Sequence, residues 1–66
     1  MKLLVRDCKH PHCPAVYLTE DGDLAVIGNE LDVGANEVVL GPGERLVKVP
    51  RTLIVQAVAR LEAASR

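Results

Sequence analysis

The sequence predicts an α+β fold: a small antiparallel sheet of about four strands with one C-terminal helix. Three observations predict it. Residues 15–49 hold short apolar runs separated by the turn signals Asp21-Gly22 and Gly41-Pro42-Gly43. Pro50 then opens a stretch whose apolar residues recur at helical spacing. The chain is 48% hydrophobic with one aromatic residue, Tyr17, so its core is built from Val, Leu, Ile and Ala. That composition excludes a disordered chain, a collagen-like chain and a disulfide-dense scaffold. The 66 residues make a single small domain: 1–14, an N-terminal strand and a Cys/His loop; 15–49, hairpins; 50–66, a helix. A domain of this size buries only about 60% of its unfolded surface. A disulfide, a metal or a partner subunit is the expected reinforcement.

Residues 3–6 read as a short strand. Residues 7–14, with Pro11 and Pro14, read as a rigid polar loop, because each proline sets its own φ, removes a donor and disfavours helix in the residue before it. Residues 15–20 and 24–28 read as the two strands of a hairpin, with Asp21-Gly22 suited to a type I′ turn. The run Leu24-Ala25-Val26-Ile27 is apolar on both faces. It suggests a central strand, or one covered on its second face by a subunit. Residues 28–36 connect to a third strand at 37–40. Pro42 and Gly43 suit the second and third positions of a type II turn, and 45–49 reads as a fourth strand.

Proline is tolerated in the first turn of a helix, so the helix is placed at 51–64. At about 100° per residue, Leu53, Ile54, Ala57, Leu61 and Ala64 form the core stripe. Arg60 and Arg66 suit the negative end of the helix dipole. Val55, Val58 and Ala59 lie beside or opposite that stripe and form a second apolar strip, a candidate subunit or partner contact.

Net charge is −1, unevenly spread. Residues 1–19 carry +2, residues 20–44 carry −7 with no basic residue, and residues 45–66 carry +4. Such segments can attract one another or steer a charged partner. Glu30 and Asp32 in the acidic segment, and Glu62 beside the helix strip, join Val55, Val58 and Ala59 as candidate partner-binding residues. Arg45, Lys48 and Arg51 are the candidate nucleic-acid contacts. They are few, no aromatic residue interleaves with them, and the acidic segment would repel phosphate. No run of about 18 apolar residues is present to span a membrane, and the apolar run after Met1 is short for a signal peptide. No membrane contact is expected, and the expected location is the cytoplasm.

Cys8, His10, His12 and Cys13 hold every cysteine and histidine of the chain within six residues. Thiolate and imidazole are preferred zinc ligands, so these four are the candidate metal residues and zinc the candidate cofactor. Four tetrahedral bonds from so short a turn would strain the backbone. A half-site shared across a two-fold axis, or Cys8 and Cys13 with one histidine and a carboxylate, fits better. The alternatives are a small disulfide loop, reduced cysteines with exposed histidines, and a contact surface. A cysteine–histidine nucleophile would also need an orienting group, an oxyanion site and a pocket. A chain of this size offers little room for them, and no enzymatic activity is expected.

The segment V-R-D-C-K-H-P-H-C-P-A at 5–15 resembles the V-R-D-S-K-x-P-x-G-P segment of small actinobacterial proteins encoded beside helix-turn-helix regulators. Val5, Arg6, Asp7, Lys9, Pro11 and Pro14 match, Cys8 and Cys13 depart, and that family's following tryptophan segment is absent. Residues 13–65 are similar to another group of short actinobacterial proteins: Cys13-Pro14 with Tyr17, Val26-Ile27-Gly28, Gly43-Glu44 with Val47 and Val49-Pro50, and the alanine-rich helix. These resemblances imply a regulatory accessory protein. The expected function is a non-enzymatic protein-binding module that modulates a transcription regulator as a homodimer or hetero-complex. A zinc-binding module and a dimeric DNA-binding protein are the alternatives.

Overall fold

The computed structural model describes residues 1–8 and 13–64. Its elements are β1 (Lys2–Arg6), β2 (Ala15–Leu18), β3 (Leu24–Ile27), β4 (Asn29–Glu30), β5 (Val47–Lys48) and α1 (Arg51–Ala64). The fold is α+β. Strands β1, β2 and β3 form an antiparallel sheet in that order, β4 and β5 form a separate antiparallel ribbon, and α1 packs on β1 and β2.

The core is Leu4, Val5, Val16, Leu53 and Ala57, with Leu18 and Val49 packed against it. Complete burial of a Val or Leu side chain is worth about 1.5–3 kcal/mol, so Val16 and Leu53 carry much of this small core. Leu4 and Val5 are neighbours in sequence, and strict alternation would send them to opposite faces of the sheet. Both are nevertheless buried, at 5% and 3% exposure. A bulge reconciles the two. Leu3 pairs with Tyr17 and Val5 with Val16, which leaves Leu4 as an extra residue in β1.

The hairpin turn between β2 and β3 departs from the expected type I′ geometry. Gly22 has φ 91, and no positive φ occurs at Asp21. The Gly22 N–H donates to the Thr19 carbonyl at 3.1 Å and the Thr19 N–H to the Asp23 carbonyl at 2.8 Å. This is a three-residue loop, with glycine in the left-handed region at its close. The Thr19 hydroxyl favours it by accepting from the Asp23 N–H at 2.9 Å and donating to the Asp21 carboxylate. That hydroxyl, followed by backbone donors, holds the Asp21 carboxyl below the usual carboxylate range.

The type II turn forms as the sequence predicts. Gly43 has φ 79, and the Glu44 N–H donates to the Gly41 carbonyl at 3.2 Å. The expected strand at 37–40 does not form. Glu37 takes the left-handed conformation at φ 55, and the Val38 N–H bonds back to the Val33 carbonyl at 3.3 Å, closing a turn instead of a ladder. The fourth strand shortens to β5, and its partner is β4, from the stretch assigned to the connection.

β3 is an edge strand, not a central one. β2 is central, and its Ala15 and Val16 are fully buried. From Gly28 the chain leaves the main sheet and runs out through the β4–β5 ribbon. The radius of gyration is accordingly 13.2 Å, with extents of 41 × 29 × 17 Å. A compact chain of this length would have a radius of roughly 11 Å.

Candidate functional site

α1 begins one residue after Pro50, whose carbonyl accepts from the Leu53 N–H at 3.0 Å. Its buried residues are Leu53 and Ala57. Leu61 is half-buried, whereas Ile54 and Ala64 are exposed, so the packed stripe is narrower than the expected one. Arg60 borders it, about 20° from Leu53 on the helix wheel. The Arg60 Nη1 donates to the Leu4 carbonyl at 2.9 Å, in a part-buried contact. Helix and bulge therefore interlock, because the guanidinium serves the carbonyl of the residue that has no ladder partner. Sequence reasoning gave Arg60 only a helix-dipole role. Its place beside Leu53 on the core stripe was the available signal. Replacing it with Met keeps most of the aliphatic stem but leaves that carbonyl without its donor. Arg60→Met should cost about 1–3 kcal/mol in urea denaturation. A loss as small as that of a surface substitution would show that the contact contributes nothing.

On the far side of α1, Val55 is 62% and Val58 41% exposed, and Ala59 and Glu62 are exposed beside them. The two-layer fold leaves this strip without a covering layer among the described residues. The other apolar exposure lies on β3, where Leu24, Val26 and Ile27 are all exposed. Glu30 is exposed on β4 opposite Val47. Asp32 is tied into local structure: its Oδ1 accepts from the Gly34 N–H at 3.0 Å and its carbonyl from Asn36 Nδ2 at 2.7 Å. It shapes the turn at 32–36, a role sequence reasoning did not give it.

The basic candidates do not share an element. Arg45 precedes β5 and donates to the Glu44 carbonyl at 3.2 Å, Lys48 lies on β5, and Arg51 begins α1. All three are exposed.

Cys8 and Cys13 are joined in a disulfide, with Cα atoms 4.0 Å apart, and both residues are exposed. Just inside it the Asp7 N–H donates to the Pro14 carbonyl at 3.0 Å. The bond therefore staples the β1–β2 hairpin just beyond this backbone hydrogen bond. His10 and His12 lie outside the described residues. The metal reading needs thiolates, so in this molecule it requires the reduced state. Among the described residues no group of three or more His, Cys, Asp or Glu is placed to hold an ion. Closing so short a loop stabilises by about 2 kcal/mol through the unfolded chain. Cys8→Ser with Cys13→Ser should lower stability by about that amount, and a reductant should reproduce the loss in the parent. Unchanged urea midpoints would show that the loop is held without the bond.

No family model, curated protein or solved structure matches this chain. Among the described residues no polar or charged side chain is buried, and no helix is long and apolar enough to cross a membrane.

Proposed function

We propose that this chain is a non-enzymatic protein-binding module of the cytoplasm, acting as a homodimer or in complex with a transcription regulator. The observation that carries the reading is the apolar strip of Val55 and Val58, turned away from the core and uncovered. Clustered apolar exposure on a small domain marks interaction surfaces, and a core of this size gains most from a subunit. A regulator as partner follows from the resemblance at residues 5–15. Catalysis is a weaker reading, because catalytic groups are commonly tuned by desolvation and no charged side chain of the described residues is buried.

Val55→Asp and Val58→Asp should each disrupt association in sedimentation experiments while leaving the circular dichroism spectrum unchanged, since neither side chain is in the core. A parent chain that sediments as the same folded monomer as both variants would remove the homodimer.

The zinc reading keeps one supporting feature, the concentration of both cysteines and both histidines at 8–13. It predicts that the reduced chain takes up zinc and gains stability that a chelator removes. A reduced chain with no metal and chelator-insensitive melting would dispose of it. Direct DNA binding through Arg45, Lys48 and Arg51 predicts a mobility shift that weakens steeply with salt.

A further inference from the structure

β3 ends the main sheet, and among the described residues no strand lies on its edge away from β2. The strand is short, but it carries no inward charge, proline or bulge of the kind that also protects an edge. Its four residues are Leu, Ala, Val and Ile, and Ile27 is 53% exposed. α1 covers β1 and β2, leaving Leu24 and Val26 exposed as well. An open backbone ladder with apolar side chains on both faces is what strand addition requires.

Charge selects the occupant. Glu20, Asp21 and Asp23 precede β3, and Glu30 follows it. Glu20 is 3.8 Å from the N-terminal ammonium. The Asp23 backbone is used in the turn, while among the described residues no hydrogen bond or ion pair engages its carboxylate. A second copy pairing antiparallel along β3 would bring the acidic residues at the start of each strand toward Glu30 of the other. Like charges across a strand pair are destabilising.

We propose that β3 accepts an extended apolar segment of a partner protein flanked at both ends by Lys or Arg, added as a fourth strand to the main sheet. The proposal rests on the protein-binding reading but uses a surface separate from the helix strip.

The synthetic peptide Lys-Lys-Val-Thr-Val-Val-Lys-Lys tests it, titrated into the full chain and followed by backbone amide shifts. Binding should perturb β3 amides and weaken with salt. The same peptide with glutamates for its lysines, or with alternate amides N-methylated, should bind about tenfold more weakly or worse. Asp23→Lys with Glu30→Lys should reverse the preference between the lysine and glutamate peptides. Circular dichroism confirms that the variant is folded. The proposal is overturned by a folded chain that binds neither peptide, by binding indifferent to flanking charge or N-methylation, or by shifts confined to α1. It is also overturned if Ile27→Lys abolishes self-association, because the edge then belongs to a second copy. The Val55→Asp sedimentation experiment reads the helix strip independently, so a failure at β3 and a failure of the module reading give different results.

Discussion

Leu53→Ala is expected to leave the protein largely unfolded at 25 °C. Leu53 is 1% exposed and, with Val16, one of the two largest fully buried side chains. With Ala57 it is one of the two helix residues that join Leu4, Val5 and Val16 in one cluster. Truncating a buried leucine costs about 2–5 kcal/mol, because transfer energy is lost and a cavity remains. A core in a domain of this size rarely supplies more than about 3–5 kcal/mol, so one substitution consumes most of the margin. Far-UV circular dichroism against urea reads the effect. The parent should give a cooperative transition, and Leu53→Ala little or none. Val55→Ala, on the same helix but facing outward, should stay within about 0.5 kcal/mol of the parent. Equal losses at both positions would mean that the helix does not pack by the face described.

Gly28→Ala should have the next largest effect, for a different reason. Gly28 lies where the chain passes from β3 into the β4–β5 ribbon. A Cβ there would sit 2.5 Å from the Lys48 carbonyl oxygen and 2.7 Å from Val49 Cγ1. The first contact is backbone and cannot rotate away. Relief requires β5 to move, which disturbs the pairing of Asn29 with Lys48 and shifts Val49 from its place against the core. Overpacking of this kind costs about 1–3 kcal/mol. Amide exchange at β4 and β5 should accelerate before that at β2. Gly34→Ala provides the control. The nearest atom to a Cβ there is the Asp32 Oδ1 at 3.6 Å, and Gly34 does not have a positive φ. A Gly28→Ala protein as stable as Gly34→Ala would contradict the close approach.

The two substitutions also show which parts of the fold were legible in the sequence. Local chemistry was readable at two places. Pro50 and helical periodicity located α1 at 51–64, and Pro42-Gly43 specified a turn that needs positive φ only at its third residue. Pairing was not readable, because a ladder joins residues distant in sequence. Nothing in Asn29-Glu30 announces Val47-Lys48 as its partner, and nothing in Leu24–Ile27 says that one edge stays open. The apolar run Val38-Val39-Leu40 resembles a strand by composition. The left-handed Glu37 and the bond from Val38 back to Val33 draw it into a turn, leaving Val39 95% exposed. The Leu4 bulge was hidden for the same reason, and with it the part played by Arg60.

The candidate site divides along that line. The outward position of Val55, Val58 and Ala59 follows from helix periodicity alone, once Leu53 and Ala57 are known to be the packed face. The cysteine loop left several chemistries open in the sequence, and the structure joins Cys8 to Cys13. Disulfides persist mainly in oxidising compartments. An exposed bond would be open to reduction in a reducing compartment, and association is best measured in both redox states.

Sedimentation equilibrium of the parent chain beside Val55→Asp, across the micromolar range, tests the central claim most directly. The account predicts that the parent associates and the variant sediments as a folded monomer. A parent that associates equally well with Asp at position 55 would contradict it, and a parent that remains a folded monomer throughout would remove the homodimer.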